Sequence, residues 1–93
     1  MSEFYIEHGD VIYINYLNDD NSNIQLTLDV IFNMVQFKYD GYILLSNDIY
    51  SVLDAQTIPI FKKIAFHALN EIKETDMNKM CLKYVRDMVD LYV

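Results

Sequence analysis

The chain has 93 residues, seven bases and fourteen acids, and a net charge of −7. That length makes one domain, residues 1–93, with a single modest core and no cleft between domains. An acidic balance of this size repels nucleic acid and anionic membranes, so direct binding to either is disfavoured and a basic protein surface is the natural partner.

The charge is also segregated. In the first 54 residues Lys38 stands alone against Glu3, Glu7, Asp10, Asp19, Asp20, Asp29, Asp40, Asp48 and Asp54, while the remaining residues hold six bases and five acids. Hydrophobic residues make up 53% of the chain, and only two Gly and one Pro interrupt it. Such an excess goes either into a tight core with half-exposed Tyr or under a second subunit or partner. Cys81 is the single cysteine, so no internal disulfide forms. With no basic leader and no apolar run of about 18 residues, the expectation is a cytoplasmic protein outside the membrane. The many Asn, Ile, Lys, Tyr and Asp residues are what AT-rich coding favours, as in phages, some large viruses and low-GC bacteria.

Phe4–His8 reads as a short strand turned at Gly9-Asp10. Val11–Leu17 is β-branched and aromatic, a strand by propensity. Asn18–Asn23 is a run of six turn-forming polar residues and reads as a hairpin loop. Ile24, Leu26, Leu28, Val30, Phe32 and Met34 then occupy every second position, which predicts one long strand with one buried face and places Asp29 in its interior. A helix over residues 28–39 competes, because Leu28, Ile31, Phe32, Val35 and Tyr39 also fit helical spacing. Tyr39-Asp40-Gly41 is a turn, and Tyr42–Ser46 a further strand.

Ser46-Asn47-Asp48 caps a short helix over Ile49–Leu53. Thr57 and Pro59 open a long helix to about Glu74, with Phe61, Ile64, Ala65, Ala68, Leu69 and Ile72 as its apolar stripe. Asp76 is the expected N-cap of a last helix, in which Met77, Cys81, Tyr84, Met88 and Leu91 step 4-3-4-3. The expected class is α+β. An antiparallel meander of three to four strands, about residues 3–46, precedes a short helix and two long antiparallel helices packed on one sheet face.

Tests for chemistry return little. Asp19, Asn21 and Asn23 match the opening of a calcium loop, but Ile24 replaces the required Gly and Val30 the bidentate acid. His67 and Glu71 share a helical face without a third ligand, and His8 lies far off in sequence. Cys81 sits within an apolar stripe, where a thiol is a small hydrophobe with a raised pKa. No nucleophile elbow or phosphate-cradling glycine loop exists. The expectation is therefore no enzyme, no catalytic residue, no metal and no cofactor.

The favoured function is a protein-binding module whose acidic half docks on a basic surface. In its strongest form carboxylates stand in for phosphates and occupy the groove of a nuclease, as in small acidic phage inhibitors of CRISPR nucleases and restriction enzymes. That comparison rests on size, charge and element order. Asp19, Asp20, Asp29 and Asp40 are the candidate contacts, with Tyr39, Tyr42 and Phe66 as aromatic anchors. One alternative is a homo-oligomeric assembly protein, a homodimer for instance, joined through Ile31, Val35 and Phe37 or through Met88, Leu91 and Tyr92. A further one is a small ligand or nucleotide binder using Lys62, Lys63, Lys79, Lys83 and Arg86.

Overall fold

A computed structural model describes residues 4–7, 9–48 and 52–92, with the backbone alone at 4–7. The chain forms strands β1 (Phe4–Glu7), β2 (Val11–Leu17), β3 (Asn23–Asp29), β4 (Met34–Tyr39) and β5 (Tyr42–Ser46), then helices α1 (Thr57–Glu71) and α2 (Lys79–Asp90). The strands pair in sequence order, every neighbour antiparallel. The class is α+β, with five strands among the described residues instead of three or four.

The extra strand comes from the long period-two run. It breaks at Val30–Asn33 into β3 and β4, which settles residues 28–39 as strand, turn and strand. Nothing there resembles an ordinary loop, since Val30, Ile31 and Phe32 are apolar. The turn is held instead by Asp29, whose Oδ1 accepts from Phe32 N at 3.3 Å, and by Asn33, which takes a left-handed φ of 50°. Short side chains of this kind tolerate that region better than most. Asn47 closes the hairpin from outside: its Oδ1 accepts from Val35 N at 2.7 Å and its Nδ2 donates to Asn33 O at 3.0 Å. Asp29 is accordingly the last residue of β3 and not an interior one.

The turn also decides which residues enter the core. Four loop residues between Asp29 and its partner Met34 reverse the parity of the buried face. Even-numbered residues point inward on β2 and β3, odd-numbered ones on β4. The row Ile14, Leu26, Phe37 and Leu45 therefore runs across four strands, every member fully buried. Phe37 meets Phe61 of α1 edge-to-face, with ring centroids 5.1 Å apart. Strand and helix residues form a single buried cluster, with Ile64, Ala65 and Ala68 from α1 and Cys81, Leu82, Val85 and Met88 from α2. Val35, Phe37 and Met88, expected above as parts of an oligomer interface, are core residues.

Both helix starts carry reciprocal hydrogen bonds. Asp54 Oδ1 accepts from Thr57 N at 2.8 Å, while Asp54 N donates to Thr57 Oγ1 at 3.0 Å. Before α2, Asn78 Oδ1 accepts from Thr75 N at 2.8 Å and Thr75 Oγ1 accepts from Asn78 N at 3.2 Å. These pairs resemble capping boxes set in the turns that lead into the helices, with Thr57 and Asn78 in the returning position. The residue that precedes α2 is Asn78, not Asp76, and Thr75 is its partner in the turn. α1 ends at Glu71, three residues earlier than the stripe implied, and Ile72 is extended. The short helix expected at Ile49–Leu53 falls largely on residues 49–51, outside the described ones; Val52 and Leu53 are not helical.

The turn between β4 and β5 has two residues, Asp40 (φ 48°) and Gly41 (φ 84°). Positive φ at both positions is the mirror-image turn that matches strand twist, and Asp-Gly is a preferred filling. A Cβ at Gly41 would meet nothing within 4 Å, so its only cost is backbone strain. Gly41→Ala should lower unfolding stability in urea by about 1–2 kcal/mol. Asn78→Ala, which removes a buried side chain bonded to Thr75, should cost about 1 kcal/mol in the same assay.

Candidate functional site

In an antiparallel meander successive loops alternate between the two ends of the sheet. The β2–β3 loop and the β4–β5 turn therefore share one end, which brings Asp19, Asp20 and Asp40 together. Direct bonds join the two connections. Asp40 N donates to Asn23 O at 2.7 Å, and Asp40 Oδ1 accepts from Asn23 N at 2.7 Å. Tyr39 Oη donates to Asp20 Oδ2 at 3.5 Å. Tyr42 is the register partner of Tyr39 and stands 75% exposed beside the turn. Five of the seven candidate contact residues thus lie at one end.

Asp29 and Phe66 do not join them. Asp29 lies at the opposite end of β3, where Asp10 O accepts from Val30 N at 3.1 Å. Phe66 is half-exposed on the outer side of α1. The acids form two rims, Asp19/Asp20/Asp40 and Asp10/Asp29, rather than a continuous line.

The larger rim is held in shape. Asn21 takes a left-handed φ of 68°, and Asn18 N donates to Ser22 O at 3.0 Å across the loop. Asp20 Oδ1 accepts from both the hydroxyl and the backbone N of Ser22. These bonds favour the ionised form, so the Asp20 carboxyl titrates below its ordinary range, with the Ser22 hydroxyl as the largest cause. Asp20 stays charged throughout the neutral and mildly acidic range.

Three features were not singled out from the sequence. Phe32, beside the Ile31 expected above as an oligomer contact, stands 75% exposed at the tip of the β3–β4 turn, where the two make an apolar projection next to Asp29. The signal for it was Asp29 and Asn33 bracketing an apolar pair. A shallow cavity of 480 Å³ lies at the larger acidic rim, lined by residues of β2, β3, Lys38 and Gly41. Its signal was polar alternation: Tyr13 and Asn15, Gln25 and Thr27, Gln36 and Lys38 occupy the positions between core residues. Finally, β5 is an edge strand with no charged residue or Pro, and Tyr42 and Ile43 on it are exposed.

Cys81 is fully buried, and its thiol lies 3.5 Å from Asp29 O as donor. Burial, with a smaller contribution from the Asp29 charge, pushes its pKa up. Among the described residues no group of three His, Cys, Asp or Glu could hold a metal ion, and no helix is long and apolar enough to cross a membrane. Lys63 Nζ donates to Tyr16 Oη at 2.9 Å, Lys83 pairs with Asp87 at 2.8 Å, and Arg86 with Glu74 at 3.4 Å.

Two measurements follow. Carboxyl carbon shifts followed by NMR titration should place Asp20 below the ordinary aspartate value, and Ser22→Ala should move it back up toward that value. The sign of the linkage is that of a depressed carboxylate. The loop's contribution to stability is present above the unfolded-state pKa and is lost as pH falls through the lower folded value. Iodoacetamide should leave native Cys81 unlabelled at neutral pH and label it fully in denaturant.

The chain matches no family model, no curated protein sequence and no solved structure.

Proposed function

We propose that the chain is a non-enzymatic protein-binding module whose larger acidic rim docks on a basic surface of another protein. In this reading both helices cover the sheet face that carries the Ile14–Leu45 row, and the rim and the opposite face are left for the partner. The supporting observation is the convergence of Asp19, Asp20 and Asp40 from two separate loops onto one braced end, beside exposed Tyr42. Charges fixed in space steer a positive partner and lose less entropy on docking than charges on a mobile loop. Tyr42 supplies an aromatic contact of the kind that anchors interfaces.

The partner's basic surface is one that otherwise binds nucleic acid, such as the groove of a nuclease, and the module acts as its inhibitor. Rim charges separated by turn residues cannot reproduce a long phosphate row. They fit a local basic patch or the mouth of a groove.

A second reading has one observation in its favour. The exposed, uncharged edge of β5 is suited to pairing with another copy of the chain. Its flanks, Asp40 and Asp48, oppose this, because antiparallel pairing of two β5 strands brings like charges together. Light scattering at tens of micromolar separates the readings: the docking reading expects a monomer.

The docking reading is tested by capture from the native host's lysate on the immobilised chain. The specific partner should be released between low and high salt and displaced by duplex DNA. Replacing Asp19, Asp20 and Asp40 together with Asn should slow association at low salt by about tenfold or more. Salt-insensitive capture, or duplex DNA and this chain held by the partner at once, would overturn it.

A further inference from the structure

Asn15, Gln25 and Lys38 are cross-strand neighbours on β2, β3 and β4. With Leu17, Asn23 and Gly41 they line the 480 Å³ cavity. The hydrogen bonds within this wall have one direction. Thr27 Oγ1 donates to Gln25 Oε1 at 3.0 Å, and Gln25 Nε2 donates to Asn15 Oδ1 at 2.9 Å. Each amide oxygen is thereby committed to an internal donor. The Asn15 amide N–H groups and the second N–H of Gln25 are left without a partner among the described residues. Lys38 adds an ammonium group, and none of the ion pairs among those residues includes it. The wall offers donors and calls for an acceptor.

Charge selects which acceptor. A phosphate monoester brings about −1.5 to −2 charges against one lysine, in a chain of net charge −7. A carboxylate brings one, matched to one ammonium. Even that anion needs a compensating cation, because Asp40 borders the cavity: its Oδ1 lies 2.7 Å from the backbone N of Asn23, a lining residue. A ligand that carries a carboxylate and a cation close together meets both Lys38 and Asp40.

We propose that this cavity seats the free C-terminus of a peptide ending in Lys or Arg. Its terminal carboxylate accepts from Lys38, Asn15 and Gln25, and its side-chain cation turns to Asp40. The proposal rests on the reading that the acidic rim docks a basic protein, and it names the segment that enters. Leu17 gives the side chain's alkyl stem an apolar surface to lie on, since Lys and Arg bury their stems while the charged head stays outside.

The test is a ¹H–¹⁵N NMR titration of the full chain with three pentapeptides. One ends in Arg as a free acid, one ends in Arg as an amide, and one ends in Gln as a free acid. The free-acid Arg peptide should shift the side-chain amide signals of Asn15 and Gln25. Amidation should weaken its binding about tenfold or more, the effect of losing charge-assisted hydrogen bonds. In Lys38→Gln, which keeps a similar stem, the acid–amide ratio should fall several-fold, Asn15 and Gln25 alone remaining as donors. Equal binding of acid and amide to the unaltered chain, an acid–amide ratio unchanged by Lys38→Gln, or no shift at Asn15 and Gln25 at millimolar peptide would overturn the carboxylate seat. Equal binding of the Arg and Gln free acids would overturn the cation half and, with it, the basic-partner reading at this rim. The two failures are distinguishable because one follows the terminal group and the other the last side chain.

Discussion

Cross-strand register is the constraint on which everything else in this molecule depends. Ile14, Leu26, Phe37 and Leu45 lie side by side across four strands and share one buried cluster with Phe61 and its neighbours. Side chains alternate along a strand, so a loop with an odd number of residues keeps the parity of the buried face and one with an even number reverses it. The five-residue β2–β3 loop keeps it, and the four-residue β3–β4 turn reverses it. The two-residue Asp40-Gly41 turn reverses it again, after which a shift in pairing places Leu45 opposite Phe37. Each loop length is thus part of the core's specification. An added residue that the β3–β4 turn did not absorb, so that β4 slipped by one against β3, would aim Lys38 and Gln36 inward and Phe37 outward.

The same register explains what was legible in the sequence. Period-two alternation showed the strands, and Asp-Gly and the polar Asn18–Asn23 run showed two of the turns. The third turn was hidden because Val30, Ile31 and Phe32 continue the apolar pattern through it. Only Asp29 and Asn33, an acceptor three residues before an amide and a residue tolerant of positive φ, mark the reversal. Missing it cost one strand. It also put Val35 and Phe37 on an exposed face, since parity was carried straight through a turn that inverts it. On the helices, the apolar stripes were plain. The caps were less so, because Asp76 fits an N-cap by type, yet the residue that precedes α2 is the buried Asn78, bonded to Thr75 in the turn.

The candidate site was half legible for a similar reason. That Asp19, Asp20 and Asp40 sit in turns follows from their neighbours Asn18, Asn21 and Gly41. That those turns meet follows from topology alone, since the second and fourth hairpins of this meander lie at the same end and the first and third at the other. Asp29 falls away from the cluster by that rule, once the turn after it is recognised. Phe66 was chosen because it is aromatic on a polar helical side. That criterion measures exposure and says nothing of proximity, and the structure leaves it on an element apart from the rim.

Lys38 ties these threads together. A lone base among nine acids is a poor contributor to solubility and a poor surface salt bridge, because exposed pairs are worth little. Here it has no ion-pair partner among the described residues despite Asp40 two positions away. Strand geometry accounts for that: residues two apart on an extended strand share a face, but the chain leaves β4 after Tyr39, and Asp40 turns back to cap Asn23 instead. The turn that organises the acidic rim is therefore also what separates Asp40 from Lys38. Lys38 lines the shallow cavity, while Asp40, next in sequence to the lining Gly41, is bonded to Asn23. In the proposed seat this arrangement favours a ligand of mixed charge over a purely cationic one. It also narrows the acidic half of the chain from a diffuse negative field to one end with a defined polarity.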